Sequence, residues 1–180
     1  MYNRSGDTMR KQFESYFFYL IFYSIGGFFL ERVINILFLG TPYDNSFLYG
    51  PWQPLYGFGV LLTILFYDFV FLKRAHKTGV SYVVLLFLAI FFTGLVEVIT
   101  GEFLEALTGI VYWNYGLIFT CSYSYTCFIP TSLFGLISLL VVICIHPYVK
   151  NLKELLPRVL LYIIFITFLI DAIIRITSYL

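Results

Sequence analysis

Charge is what this chain has least of. Asp, Glu, Lys and Arg together make up 12% of 180 residues, against 61% hydrophobic and 22% aromatic, with a mean hydropathy of +0.90. A soluble domain carries about a quarter of its residues charged, so this composition excludes one and points to a polytopic membrane protein. Spans need roughly 20 apolar residues each, so several fit, and no separate soluble domain is expected beside them.

Other absences narrow the function. The net charge is only +1, and no basic run is interleaved with aromatics, which argues against a nucleic-acid partner. No Gly-rich phosphate loop is present, so the chain is not expected to hydrolyse ATP itself. No Ser-His-Asp set or zinc motif appears; no catalytic residue is assigned, and neither a cofactor nor a metal is expected. Cys121 and Cys127 lack metal-ligand spacing, as do the two histidines, His76 and His146. The N-terminus has no small-residue cleavage site before its apolar run, so the first apolar segment is expected to remain as an anchor.

What is there is a series of five apolar segments, at about 16–39, 55–72, 80–107, 129–145 and 158–180. The expected fold is all-α: a single transmembrane bundle of five spans over residues 16–180, preceded by a cytoplasmic tail at 1–15. The third segment is overlong, and either tilts or leaves the hydrocarbon from Gly101 onward. Basic residues orient the bundle. Arg4, Arg10 and Lys11 precede the first span; Lys73, Arg74 and Lys77 follow the second; Lys150, Lys153 and Arg158 flank the start of the fifth. The remaining loops, 40–54 and 108–128, carry no Lys or Arg, which places the N-terminus inside and the C-terminus outside. Both histidines then fall at cytoplasmic span ends.

The two outer loops are rich in Tyr and Trp, which favour the membrane interface. The first holds "YGPWQPLYGFG", Tyr49 to Gly59, where two prolines stiffen the backbone. The second holds Cys121 and Cys127, which are either bridged or free in an oxidising compartment.

Ionisable residues within spans cost about 2.5 to 3.5 kcal/mol each at mid-membrane unless they face protein or water. Ser24, Gly27, Glu31 and Asn35 recur at spacings of three and four, one stripe of the first span, with Arg32 beside it as a pairing candidate. Gly94, Glu97, Gly101, Glu105 and Thr108 form a second stripe on the third span, with Glu102 off it. The two stripes are expected to face each other or a shared cavity. Asp171 and Arg175, one turn apart, read as an intrahelical ion pair. Asp68 lies near Lys73 and Arg74. Every other intramembrane charge falls in the outer half, under the two aromatic loops, and predicts an outward vestibule toward which the Tyr49 and Tyr56 rings point.

The segments "GGFFLE", "LYGPWQPLYGFG", "EVITGEFLEALTGIVYWNY" and a "C…SLFGL…IHP" helix together resemble the small bacterial membrane proteins of the ABC-transporter type IV permease family, the CmpB-like proteins. The resemblance covers Tyr16 to Pro147. It marks Glu31, Tyr49, Gly50, Pro51, Pro54, Tyr56, Gly57 and Gly59 as motif positions, and likewise Glu97, Glu105, Trp113, Tyr115, Cys127, His146 and Pro147. Asn114 departs from the acidic residue that the pattern leads one to expect. The resemblance implies a multi-pass protein of the cytoplasmic membrane, surrounded by lipid, that takes part in transport. A separate ATPase is then required, and with only five spans a partner membrane subunit or a second copy of the chain as well.

The expected function is a transport component in which Glu31 and Glu97 bind a cationic or protonatable solute and Glu105 stands at the entrance. Tyr49, Tyr56, Trp113 and Tyr115 shape the mouth, with Arg32 beside the site. Two alternatives stay open: a membrane enzyme acting on a lipid or lipid-linked substrate at the outer leaflet, and a structural or regulatory subunit whose carboxylates hold helices together.

Overall fold

The computed structural model describes residues 4–41, 46–73, 79–119 and 121–180. Every regular element among them is helical: α1 (Arg4–Leu39), α2 (Pro54–Lys73), α3 (Gly79–Thr108), α4 (Tyr115–Phe119), α5 (Phe128–Leu140), a π-helical turn (Val141–Ile145), α6 (His146–Leu155) and α7 (Arg158–Thr177). Four stretches are long and apolar enough to cross a membrane: Met9–Leu37, Gly79–Thr108, Phe128–Leu155 and Arg158–Thr177. The segment expected as the second span forms a shorter apolar helix over Pro54–Val70. Arg74 and Lys77, used above for orientation, and His76, expected at a span end, lie outside the described residues.

Local chemistry sets the helix ends. Gly40 and Gly109 adopt φ of 69° and 70°, and their N–H groups reach back to the carbonyls of Ile36 and Glu105 at 3.1 and 2.8 Å, the left-handed stop that glycine permits without a Cβ clash. Pro54 opens α2, where its missing N–H costs nothing. Pro157 forces Leu156 to an extended ψ of 133° and so separates α6 from α7.

The apolar stretch expected to end at residue 145 continues to Leu155 in helical form. Pro147 cannot donate to the carbonyl four residues back, and its ring crowds that turn. The chain responds by widening: the His146 N–H bonds Val141 O, five residues back. His146 is therefore buried inside a continuous helical run, 4% exposed.

Packing makes α2 the centre of the bundle. It contacts α1, α3, α5 and the π turn, while α3 packs on α5. The polar stripes of α1 and α3 are expected from sequence to face each other or a shared cavity; the two helices do not pack directly, and α2 lies between them. Gly57 sits so close to Ser24 and the Leu20 carbonyl that a Cβ there would collide with the α1 backbone, and Gly135 lies as near the backbone of Ile90. Phe18, Tyr19, Tyr23, Val60, Ile64, Val142 and Val149 form the core shared by α1, α2 and the helices after α5.

Helix α7 is peripheral, with no buried side chain among the described residues, and its main helix contact is to α1. It is joined to α1 by Phe17 against Phe165 and by the segment before α2. Leu48 and Trp52, 6% and 8% exposed, pack with Ile21, Phe168 and Ala172. The Leu48–Trp52 part of this corner is thus a wedge between α1 and α7.

Candidate functional site

The polar end of the bundle is built on α3. Its buried positions Ser81, Leu85, Ala89, Thr93, Glu97, Gly101 and Leu104 recur every three or four residues, with Gly94 beside them, so one face is wholly inside. Glu97 is 1% exposed. Its Oε1 accepts the Tyr115 hydroxyl at 2.7 Å and its Oε2 accepts the Thr131 hydroxyl at 2.5 Å. Thr131 itself receives the Thr126 hydroxyl at 2.9 Å and the Cys127 N–H at 3.3 Å. Hydroxyl donors on α4, α5 and the loop between them therefore converge on one buried carboxylate, and among the described residues no cation contacts it.

Glu31 belongs to the same neighbourhood. It accepts a hydrogen bond from the Gln53 side chain, while the Gln53 N–H donates to Ser24 O at 3.0 Å, which seats the start of α2 against the middle of α1. Tyr56 follows one turn later, packed against Gly27 and with its ring 5.2 Å from that of Phe134. Burial and the Glu97 carboxylate push the Tyr115 hydroxyl above the ordinary phenol range, and Tyr56 and Glu31 are close enough to add to the effect. Glu31, Tyr56, Glu97 and Tyr115 thus form one electrostatic unit between α1, α2, α3 and α4.

The other expected site residues lie apart from that unit. Glu105 is exposed and takes the hydroxyl of Tyr125, whose ring closes over Gly101 and stands edge-on to Trp113 at 5.5 Å. The Trp113 indole N–H donates to Tyr125 O at 3.1 Å. Glu102, off the stripe, takes the Tyr123 hydroxyl. Each acidic residue of α3 therefore meets one tyrosine of the segment 109–127, which folds over the end of α3 and is closed by a Cys121–Cys127 disulfide, Cα–Cα 5.9 Å. Arg32 stacks on Phe28, 4.4 Å from the ring centroid.

Tyr49 is 67% exposed and does not point toward Glu31 or Glu97. Its ring lies 4.8 Å from the Arg175 guanidinium, and its hydroxyl accepts from Arg175 at 3.2 Å. Asp171 and Arg175 turn to the loop rather than to each other. The Asp171 carboxylate accepts the N–H groups of Tyr49 and Gly50 at 3.1 and 2.8 Å and the Trp52 indole N–H at 2.6 Å. Arg175 donates to Phe47 O at 2.7 Å. Three donors outcompete an intrahelical pair because together they satisfy both carboxylate oxygens.

Gln53, Thr131 and Trp52 were not singled out from sequence. Gln53 and Trp52 sit in irregular backbone, where no period gives direction. Thr131 had one signal, a hydroxyl beside Pro130 at the opening of an apolar helix.

A family model described as "Putative ABC-transporter type IV" matches residues 18–176. The chain belongs to this family. No curated protein and no solved structure matches it. The matched region of this type IV family member runs from α1 to the last turn of α7, so it contains the Glu97 cluster, the tyrosine-bearing loop and the Asp171 anchor alike. Family and apolar helices together make this a multi-pass membrane protein that fits a transport component.

Proposed function

We propose that the chain is the membrane-embedded part of a transporter, with five spans, α2 being the second, in a single domain over residues 16–180. Its N-terminus, including the 1–15 segment, is cytoplasmic, its C-terminus is outside, and it resides in the cytoplasmic membrane. Glu31 and Glu97 take a cation or a proton from the outer side, Tyr56 and Tyr115 shape their site, and Glu105 and Trp113 flank its entrance. Tyr49 and Arg32 act at the rim. A separate ATPase supplies the energy, since no phosphate-binding loop is present in the sequence.

The observation that carries this reading is Glu97: a buried carboxylate with hydroxyl donors and no cationic partner among the described residues. In a low-dielectric interior such a group is neutralised by a proton or a cation, which is the exchange that a transport site performs. The decisive measurement is charge movement in proteoliposomes presented with monovalent and amine cations or a pH gradient. Glu97→Gln preserves the shape and one of the two acceptor oxygens while removing the charge; the current should vanish while yield and folding persist. A current equal to wild type defeats the proposal.

A second reading has its own support. Glu31, Glu97, Glu102 and Glu105 each hold a donor from a loop or a neighbouring element, as a structural subunit would require. On that reading Glu97→Gln lowers abundance or assembly, and no current is present to lose.

A further inference from the structure

At the far end of the bundle from Glu97 is a cavity of about 550 Å³ between α1, α2, α6 and the start of α7. It lies about 24 Å from Glu31 along α1, counted at 1.5 Å per residue from Ser15. Nothing in the transport reading uses it. Its volume is that of a small-molecule site, which typically measures about 300 to 1,000 Å³.

The charges around it do not cancel. Glu14 is taken up by the Tyr162 hydroxyl at 2.9 Å and by Arg10 and Arg158 at 3.7 and 3.9 Å. Glu154 pairs with Lys153 at 3.4 Å. Asp68 is the remaining acid. Against it stand Lys11 and Lys150, both lining the cavity and neither in an ion pair among the described residues.

A second and independent feature lies inside. His146 lines the cavity and is 4% exposed, and its Nε2 has no hydrogen-bond partner among the described residues. Its Nδ1 is held by the Tyr23 hydroxyl at 2.9 Å, and the Tyr19 ring stands edge-on at 4.6 Å, so the imidazole is fixed in orientation. A neutral imidazole that accepts from Tyr23 at Nδ1 carries its proton on Nε2. A buried donor without an acceptor costs stability, which an arriving anion would recover.

We infer that this cavity binds a phosphate-bearing anion, with Lys11 and Lys150 as counter-charges and the His146 Nε2–H as the inner donor. The apolar side chains of Ile64, Leu156 and Leu161 line the same cavity and match the first carbons of a phospholipid. The phosphate belongs either to an anionic lipid headgroup or to a soluble phosphate; the chemistry recognised is the same.

The test uses the full-length protein, stripped of lipid in a neutral detergent. Native mass spectrometry compares retention of phosphatidylglycerol with phosphatidylcholine, and calorimetry titrates inorganic phosphate. One equivalent of phosphatidylglycerol held in preference to phosphatidylcholine assigns a headgroup site; one equivalent of inorganic phosphate assigns a soluble anion, and either supports the inference. Lys11→Gln with Lys150→Gln should weaken binding about tenfold or more, as expected for losing charge-assisted hydrogen bonds. His146→Phe, which removes the imidazole donor and keeps an aromatic ring, should also weaken it. Three results overturn the inference: no preference for either phosphate probe, loss with the lysines but none with a folded His146→Phe, or unsaturable uptake of many equivalents by wild type. The last is read on the native protein and stands even where His146→Phe does not fold.

Discussion

The two ends of this bundle treat charge in opposite ways. At the Glu97 end, carboxylates meet neutral donors: tyrosine hydroxyls, a threonine, a glutamine amide, an indole and two backbone N–H groups. At the His146 end, four cations (Lys11, Lys150, Lys153 and Arg158) line a cavity with three acids, and Lys11 and Lys150 form no ion pair among the described residues. One end surrounds its carboxylates with neutral donors from the same chain. The other leaves charge and space available to something outside the chain. Substitutions that strip a buried carboxylate or its donors from the first end should therefore cost stability, whereas substitutions of the lysines at the second should cost binding instead.

The largest effect is expected at Asp171. Asp171→Ala leaves three donors of the corner without their acceptor, and should lower stability by about 3 kcal/mol. Thermal unfolding in detergent measures the loss, and limited proteolysis should cut near 46–53, because that corner then no longer ties α7 to α1. An unchanged cleavage pattern would show that apolar contacts of Leu48 and Trp52 hold the wedge alone.

Thr131→Val comes next. It keeps the shape of the side chain but removes a donor from buried Glu97 and an acceptor from the Cys127 N–H, at about 2 kcal/mol. A loss restricted to thermal stability, with normal charge movement, would favour the structural reading of Glu97; a matching loss of current would favour transport.

A smaller, pH-dependent effect is expected at Tyr125. Burial, and then its hydrogen bond to Glu105, hold the phenol above its ordinary value of 10.0. The folded state therefore keeps this proton when the unfolded chain would release it. The corresponding stability is fully present below about pH 10 and is lost as pH rises from there through the raised folded value. Alkaline titration of unfolding should show a steeper decline for wild type than for Tyr125→Phe; parallel curves would remove Tyr125 from the account.

The smallest effect belongs to the opposite end. Lys11→Gln with Lys150→Gln should change stability by no more than about 0.5 kcal/mol, as exposed and unpaired positions do. A larger loss would erase the contrast between the ends.

Much of the helical content was legible because apolar runs and a 3.6-residue period report on single elements. The stripe Ser24, Gly27, Glu31 and Asn35 is buried or half-buried as its spacing demands, and Glu97 lies within the buried face of α3. Glu105 shares that spacing yet is exposed, because the stripe outruns the neighbouring helices and meets a loop instead. The corner was misread for a different reason. In irregular backbone, direction is set by each turn in succession, so Trp52 faces inward while Tyr49, three residues earlier, stacks on Arg175.

By itself, then, the sequence determined the class of protein, the helical stretches and the side chains that could not face lipid, since those follow from local hydropathy and backbone geometry. Only tertiary structure decided which partners those side chains received. It put α2 between the two polar stripes, gave Asp171 to the corner rather than to Arg175, and turned His146 toward Tyr23 and a charged cavity. A donor between two acceptors goes where packing brings the better geometry, and distance in space is not written in distance along the chain.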